Sequence, residues 1–243
     1  MIPKVIHYIW LGGKPLPKIT EKCIESWNKY CPDYEIKRWD ETNLDIDKYK
    51  FAKDAYEAKK FAFASDVFRT DILYKEGGIY LDVDVELVKP IDDLILDVDC
   101  VMGFETSNLL NPGLFIAAQK GCDDLGSILE IYKALEFDVN KLMDLTVCEI
   151  YTKYFQTKGL IRKNSTQKVG NNMFYASEYF SPIDVISNKK KITKNTCSIH
   201  WYNASWYTPK QKMKNRVKRI LNFCTFGLAG KVINKLKGKR NEK

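Results

Sequence analysis

The sequence predicts a layered α/β fold in one compact domain, and three observations support this prediction. Short apolar segments alternate with helical segments along most of the chain, which is typical of α/β domains. The 243 residues are 45% hydrophobic, enough to bury a sizeable core. A glycine pair at positions 77 and 78 separates a helical pattern from an alternating one, as at a junction between helix and strand.

The first forty residues predict a strand, a helix and a second strand. The segment from Ile2 to Trp10 is apolar enough for a buried strand, but it is too short for a signal peptide. A loop with glycines and prolines follows at residues 11–17. A helix is then expected from Thr20 to Tyr30, and a strand from Tyr34 to Trp39. We interpret His7 as a hydrogen-bonded core histidine, and Trp27 and Trp39 as packing residues.

The centre of the chain carries the clearest pattern. Residues 52–76 predict a helical region with one apolar face, and the glycine pair ends it. From Ile79 to Leu87 apolar and polar residues alternate, which predicts a strand. Asp82 and Asp84 would then share one face, about 6.5–7 Å apart. The helical face consists of Phe61, Ala64, Phe68 and Ile72.

The second half of the chain continues the alternation less regularly. Strands are expected at Val101–Phe104 and Gly113–Ala118, and helices at Cys122–Phe137 and 140–157. Residues 158–172 are polar and predict a loop. A last strand is expected to begin at Cys197 and to lead into a loop that ends at Trp206.

Carboxylates at the end of the central strand predict a metal site. Three Asp-x-Asp triplets occur, but only Asp82-Val83-Asp84 follows an apolar strand. One of its carboxylates can ligate a hard divalent ion while the other reaches the ion through water or a substrate hydroxyl. Asp66 and Arg69 lie one helical turn apart, and such a pair suits sugar hydroxyls or a diphosphate. Because ligands gather at the carboxyl ends of strands, Trp10, Asp82 and Asp84 are expected at one edge.

Charge and cysteine content suggest a two-part organisation and a compartment. Residues 207–243 carry a net charge of +11, against −3 for the rest of the chain. We therefore predict a catalytic domain at 1–207 and a basic amphipathic tail at 208–243 that contacts anionic membrane surfaces. No motif that reads nucleic acid accompanies these basic residues, so no nucleic-acid partner is expected. Seven scattered cysteines indicate free thiols in a reducing compartment, as in the cytoplasm.

Four segments occur together in an order that resembles a known family: Ile2–Trp10, Ser65-Asp66-x-x-Arg69, Gly77–Asp84, and His200 followed by Ser205-Trp206. The chain is similar to DXD-containing sugar transferases related to the yeast initiating α-1,6-mannosyltransferase and to bacterial capsular polysaccharide enzymes (glycosyltransferase family 32). It resembles the glucosylating domain of large clostridial toxins more distantly. The resemblance implies a GT-A fold, which is a Rossmann-like mixed sheet flanked by helices. It also implies a nucleotide-sugar donor, Mn²⁺ or Mg²⁺, and transfer with retention.

The resemblance also implies roles for individual residues. Asp84 would bind the metal directly, Asp82 would bridge ribose or sugar hydroxyls and a metal-bound water, and His200 would complete the metal sphere. The remaining roles concern the donor: Trp10 stacks on the base, Tyr80 packs near the base or ribose, Asp66 and Arg69 hold sugar hydroxyls, and Ser205 and Trp206 contact the diphosphate.

The expected reaction moves a hexose from UDP-hexose, or in second place from GDP-mannose, to a glycan or lipid-linked glycan acceptor. Capsule, exopolysaccharide or lipopolysaccharide synthesis fits such an acceptor. Fungal relatives carry an N-terminal anchor that this sequence lacks, so a cytoplasmic enzyme at the inner face of a bacterial plasma membrane is expected. Front-face transfer is preferred, the base stays open, and Glu105 and Asn111 are candidates for the sugar side of the site.

Two other functions remain open from the residues. Asp82-Val83-Asp84 after an apolar strand also imitates the nucleophile motif of haloacid-dehalogenase-like phosphatases, although about 80 residues precede it here. A non-catalytic protein that binds a sugar nucleotide or glycan is the second alternative. Phosphatase activity on a generic phosphoester would identify the first, and absence of turnover with any acceptor would favour the second.

Overall fold

The computed structural model describes residues 1–142, 144–183 and 189–202. The predicted roles of Ser205 and Trp206, the domain boundary at 207 and the tail at 208–243 lie outside these residues, so they stay predictions.

Strands and helices alternate along the chain, as the sequence predicts. Within the described residues the strands are β1 (Val5–Ile9), β2 (Glu35–Trp39), β3 (Gly78–Tyr80), β4 (Val85–Leu87), β5 (Cys100–Gly103), β6 (Ile116–Ala118), β7 (Gln167–Val169), β8 (Asn172–Tyr175) and β9 (Ser198–His200). The α-helices are α1 (Lys18–Tyr30), α2 (Lys50–Glu57), α3 (Phe61–Glu76), α4 (Asp123–Ala134), α5 (Val147–Thr157) and α6 (Ser177–Phe180). This alternation confirms the predicted α/β class.

Seven strands form one mixed sheet in the order β2-β1-β3-β6-β5-β8-β7. β1 runs parallel to both β2 and β3, whereas β6 runs antiparallel to its two neighbours. β5 and β8 are again parallel. A separate antiparallel pair joins β4 to β9. Since β1 and β3 are parallel neighbours, their carboxyl ends meet at one edge of the larger sheet.

The core lies on both faces of the larger sheet. Alternate residues of β6 belong to different clusters, because successive strand side chains point to opposite faces. Ile116 packs with the α2–α5 side, and Ala117 packs with the α1 side. Trp27 of α1 is buried, and its indole N–H donates to the carbonyl of Val85 at 2.8 Å, which confirms its packing role.

Helix α3 ends at the predicted glycine pair. Gly77 and Gly78 have φ values of 70° and 101°, a region that glycine adopts at little cost. A Cβ at position 78 would lie 2.8 Å from the carbonyl oxygen of Val5. The absent side chain therefore lets β3 start directly beside β1.

The predicted strand from Ile79 to Leu87 is wrong, because the chain changes sheets within it. The N–H of Asp82 donates to the carbonyl of Gly113 at 3.0 Å, and the N–H of Val85 donates back to the carbonyl of Asp82 at 3.0 Å. This turn ends β3 at Tyr80 and starts β4 at Val85. Asp82 and Asp84 consequently do not share a strand face as predicted; the turn instead brings their carboxylates together.

Three further element predictions need correction. The helical region at 52–76 is two helices, because Lys59 takes a left-handed φ of 57° between α2 and α3. The helix expected at 140–157 begins only at Val147, and the hydroxyl of Thr146 just before it accepts from the N–H of Glu149 at 3.4 Å. The loop expected at 158–172 contains β7 and leads into β8 through a tight turn at Gly170 and Asn171.

Described cysteines are all free, in agreement with the expected reduced thiols: Cys23, Cys31, Cys100, Cys122, Cys148 and Cys197. No helix in the described part of the chain is long and apolar enough to cross a membrane.

Candidate functional site

The edge where β1 and β3 end carries the predicted residues. Trp10 directly follows β1, and its N–H donates to the carbonyl of Trp39 at 2.9 Å. Asp82 follows β3 by two residues, and Asp84 lies in the turn that leads to β4. The predicted positions of Trp10 and Asp82 at strand ends are therefore confirmed, whereas Asp84 precedes a strand.

Asp82 is held from three sides. One carboxylate oxygen, Oδ1, lies 3.3 Å from Nη2 of Arg69 and accepts the hydroxyl of Tyr80 at 3.1 Å. The other oxygen faces Gly113, where an added Cβ would lie only 2.2 Å from Oδ2. These contacts fix the carboxylate beside the sheet edge.

Asp66 and Arg69 form a buried ion pair on α3, as the helical spacing predicts. Arg69 Nη2 lies 2.9 Å from Asp66 Oδ1, and the side chain of Arg69 is only 4% exposed. Burial raises the pKa of Asp66 to about 7, with Arg69 opposing the shift and Asp82 adding to it. Burial also opposes the charge of Arg69, yet Asp82, Tyr80 and Asp66 together outweigh it and raise the pKa of the guanidinium. The pair therefore puts a permanent cation beside the Asp-x-Asp triplet.

The remaining donors of Arg69 are not used by the described residues. Its Nε and Nη1 are buried and have no hydrogen-bond partner there. The guanidinium carbon lies 4.6 Å from the centre of the Tyr80 ring, which orients the group through its flat face. Tyr80 itself is 1% exposed, and it packs in the core as well as against Arg69 and Asp82. An oriented guanidinium with unused donors can bind a polar ligand.

Asp84 and His200 meet through the smaller sheet. Val85 pairs with His200 in the β4–β9 register, and Nε2 of His200 lies 3.0 Å from Asp84 Oδ1. Both side chains are buried, at 7% and 5% exposure. Burial lowers the pKa of His200, but the carboxylates of Asp84, Asp82 and Glu105 outweigh it, so the net shift is upward. A cation bound here would have to displace the imidazole proton, so its affinity should fall as the pH falls.

The side chains of Asp82, Asp84 and His200 fit a divalent cation. Each offers one ligand atom, and these atoms lie within 4.8 Å of one another. Among the described residues this is the one group of three or more such side chains so arranged. Carboxylates suit hard cations such as Mg²⁺ and Mn²⁺, and imidazole binds transition metals, so this donor set suits a divalent cation.

Other sequence candidates surround this cluster. The half-buried Trp10 donates its indole N–H to the carbonyl of Lys14 at 2.6 Å. Glu105 accepts from the side-chain amide of Asn111 at 3.1 Å, and the carboxylate oxygen of Glu105 is close enough to raise the pKa of His200. The candidates for the sugar side are therefore bonded to each other beside the metal cluster.

His7 does not belong to the cluster. It is fully buried; its Nδ1 accepts the indole N–H of Trp39 at 3.1 Å, and its Nε2 lies 2.9 Å from the carbonyl of Gly77. Because Nδ1 accepts, the ring proton lies on Nε2 and donates to Gly77. The predicted core role of His7 is confirmed.

A family comparison covers the part of the chain that holds most of this site. Residues 17–101 match the family described as a glycosyltransferase sugar-binding region containing a DXD motif. These residues therefore carry the sequence pattern of a DXD glycosyltransferase region. The region contains Asp66, Arg69, Asp82 and Asp84, while Trp10 and His200 lie outside it.

Curated relatives agree with this assignment. Inositol phosphoceramide mannosyltransferase 3 of Schizosaccharomyces pombe is 34% identical over 102 residues, which cover 39% of this chain and 27% of the relative. Initiation-specific alpha-1,6-mannosyltransferase of Candida albicans is 29% identical over 110 residues, 41% of this chain and 29% of the relative. The chain thus spans less than a third of the length of these two relatives, and the resemblance to yeast mannosyltransferases is confirmed.

A solved structure extends the agreement to the fold. The PaToxG glycosyltransferase superposes with a TM-score of 0.54 at 20% identity, covering 64% of this chain and 69% of the toxin chain. The seven-stranded mixed sheet flanked by helices is the GT-A fold that the resemblance implies. The DXD region and this fold favour the glycosyltransferase hypothesis over the phosphatase hypothesis.

Two residues of the DXD site had no assigned role in the sequence analysis. Gly113 makes room for Asp82, and the turn signal Asn111-Pro112-Gly113 indicates a tight turn there. Tyr202 packs on His200 with ring centres 4.1 Å apart, and no local sequence signal marks it. The contacts of both residues depend on how distant segments meet in space, which sequence patterns report poorly.

Proposed function

We propose that this protein is a metal-dependent glycosyltransferase that moves a hexose from a nucleotide-sugar to a glycan acceptor. The observation that carries the proposal is the meeting of two groups of side chains, all of which except His200 belong to the DXD sugar-binding region. The ligand atoms of Asp82, Asp84 and His200 lie within 4.8 Å of one another, and the buried Asp66–Arg69 pair adjoins them through the 3.3 Å contact to Asp82.

In this proposal some residues bind the metal directly, and others contact a bound water or the donor sugar. Asp84 and His200 are the direct ligands in this proposal, because they face each other at 3.0 Å and a cation could lie between them. Asp82 is engaged by Arg69 and Tyr80, so it acts through a bound water or a donor hydroxyl. A divalent cation held there would stabilise negative charge on the leaving diphosphate.

Asp66 and Arg69 hold the donor sugar in this scheme. Arg69 keeps Nε and Nη1 without partners among the described residues, so it can donate to sugar hydroxyls without losing its bond to Asp66. The stack on Tyr80 limits rotation of the guanidinium, and such preorganisation lowers the cost of binding. Trp10 at the end of β1 remains our candidate for stacking on the base. A cavity of about 520 Å³ borders the loop after Trp10, and Gly12, Gly13 and Tyr56 line it.

The finer features of the reaction rest on the resemblance. We propose transfer with retention by front-face attack, with Mn²⁺ preferred to Mg²⁺ because an imidazole completes the ligand set. UDP-hexose is our first donor and GDP-mannose the second; the names of both fungal relatives, which are mannosyltransferases, support including mannose. The acceptor class, the membrane contact of residues 208–243 and a role in bacterial capsule synthesis are proposals of the same origin.

The proposal is tested with a panel of UDP- and GDP-sugars, measuring donor hydrolysis and transfer with Mn²⁺, with Mg²⁺ and with chelator. Wild-type protein should turn over one donor in a metal-dependent way, and the anomeric proton of the product should show retention. Asp84→Asn should abolish both metal dependence and turnover. Asp47→Asn is the matched control, because Asp47 belongs to another Asp-x-Asp triplet and its side chain is 74% exposed. Absence of metal-dependent turnover with every donor and acceptor, or equal losses in the two variants, would contradict the proposal.

A further inference from the structure

Among the residues that the structure describes, none gives the imidazole of His200 the hydrogen bond that usually orients a metal-binding histidine. Its Nε2 faces Asp84, but its Nδ1 is buried and has no hydrogen-bond partner among the described residues. Histidine ligands generally donate their second N–H to a carboxylate, carbonyl or water, and this bond sets the direction of the ring. Another contact must therefore hold the ring of His200.

The side chain of Tyr202 supplies such a contact. The two ring centres are 4.1 Å apart with an angle of 55° between the planes. The Tyr202 hydroxyl shares a 2.7 Å hydrogen bond with the hydroxyl of Ser181, which is fully buried. Ser181 directly follows α6, and its N–H donates to the carbonyl of Ser177 at 2.7 Å. The tyrosine therefore connects the imidazole to a fixed point at the end of a helix.

The backbone of Tyr202 is held in an uncommon conformation. Its φ is 49°, in the left-handed region that a bulky residue seldom adopts. Such conformations persist where surrounding contacts fix them, and they cluster at functional sites. Here the preceding residue is fixed twice: the N–H of Trp201 donates to the carbonyl of Asp84 at 3.0 Å, and its indole N–H donates to Glu86 at 2.9 Å. The turn after β9 thus directs the tyrosine ring back onto the histidine.

We propose that Tyr202 is a positioning residue that holds His200 in the orientation that binds the metal, with Ser181 as its anchor. This inference rests on the proposed metal site and deepens it. Packing by Tyr202 takes the place of a hydrogen bond at Nδ1, for which the described part of the chain offers no partner.

The test measures Mn²⁺ affinity in the protein without donor or acceptor, from the electron paramagnetic resonance signal of free Mn²⁺. Tyr202→Ala removes the ring and should weaken Mn²⁺ binding about 10- to 100-fold, the effect usual for residues that orient a metal ligand. Tyr202→Phe keeps the ring but loses the anchor, and about a five-fold loss is expected. Ser181→Ala should give the same loss, and combining it with Tyr202→Phe should add nothing, because both remove one hydrogen bond.

Controls separate this inference from the metal site itself. Tyr175→Phe removes a hydroxyl that donates to Leu94 at 3.4 Å and should leave Mn²⁺ affinity unchanged. If Asp84→Asn binds Mn²⁺ as wild type does, the proposed metal site is wrong. If Asp84→Asn loses binding while Tyr202→Ala stays within two-fold of wild type, only the positioning role is wrong. Should Tyr202→Ala fail to fold, additive losses or no losses in Tyr202→Phe and Ser181→Ala would overturn it.

Discussion

Replacing Gly113 by alanine should impair catalysis even though it changes none of the proposed metal ligands. A Cβ at this position would lie 2.2 Å from Asp82 Oδ2 and 3.0 Å from Arg69 Nη1. Ordinary contact begins at 3.4 Å, so the carboxylate must move by about 1.2 Å, the difference between 3.4 and 2.2 Å. Gly113 does not have a positive φ, so the clash is steric and not conformational.

The displacement of Asp82 should lower the rate of the reaction because it disturbs two contacts of this carboxylate. Moving Asp82 by this amount disturbs its 3.3 Å contact to Arg69 and its 3.1 Å bond to Tyr80. A misplacement of about 1 Å can cost roughly 100-fold in rate, or about 2.7 kcal/mol of transition-state stabilisation. We expect kcat/KM for the preferred donor to fall about 100-fold. Mn²⁺ affinity should fall much less, since Asp84 and His200 keep their places.

The assay is metal-dependent donor turnover, with thermal unfolding and Mn²⁺ affinity measured on the same samples. Gly126→Ala is the matched control: it also lacks a positive φ, and its Cβ would meet only the side chain of Tyr74, at 3.0 Å. Because Gly126 lies inside α4, this control should keep full activity and gain helix stability. Activity of Gly113→Ala within three-fold of wild type would refute the assigned role of Asp82.

Two further predictions concern buried ionisable side chains. Arg69→Met should lower the free energy of unfolding by about 3–5 kcal/mol, because it removes the cation that pairs with the acidic side chains of both Asp66 and Asp82. Adding Asp66→Asn should recover part of this loss. Urea unfolding of the single and double variants checks this, and purely additive losses would contradict the pairing. Burial lowers the pKa of His7 below its ordinary 6.5, so the unfolded chain takes up a proton before the folded protein does. His7 therefore stabilises the fold above pH 6.5, and this contribution is lost as the pH falls. The free energy of unfolding, measured from pH 8 to 5, should decline more steeply in wild type than in His7→Gln. Parallel curves for the two proteins would contradict this prediction.

Sequence patterns predicted the fold class and the residues that carry charge at the site. Helical spacing placed Asp66 and Arg69 on one side of α3, and the glycine pair ended that helix at the right residue. Both signals depend on local backbone geometry alone, which a sequence specifies well. The strand-end positions of Trp10 and Asp82 followed from the same local patterns.

The predicted strand through Asp82 and Asp84 failed because pairing between distant segments decides where a strand ends. Apolar and polar residues alternate without a break from Ile79 to Leu87. The N–H of Asp82 nevertheless donates to the carbonyl of Gly113, and the chain forms a turn there. This turn matters for function, because Asp84 meets His200 only where β4 pairs with β9 in the smaller sheet. No local pattern reveals a pairing between residues that lie 116 positions apart.

The β7–β8 hairpin was missed for a different reason. Both strands are short, and β7 is mostly polar, so the segment shows no run of apolar alternation. The Gly170-Asn171 pair is nevertheless a turn signal of the kind that joins two strands. The role of Tyr202 could not be found in this way at all. Its left-handed backbone and its contact with His200 depend on where α6 and the β4–β9 pair meet in space.

Anomalous diffraction at the manganese absorption edge, from crystals grown with Mn²⁺ and the preferred donor, would show whether Asp84 and His200 bind the metal. We expect one strong peak about 2.0–2.3 Å from a carboxylate oxygen of Asp84 and from Nε2 of His200, with the donor diphosphate on its open side. A peak at other side chains, or metal-dependent turnover in crystals with no peak between Asp84 and His200, would contradict this expectation.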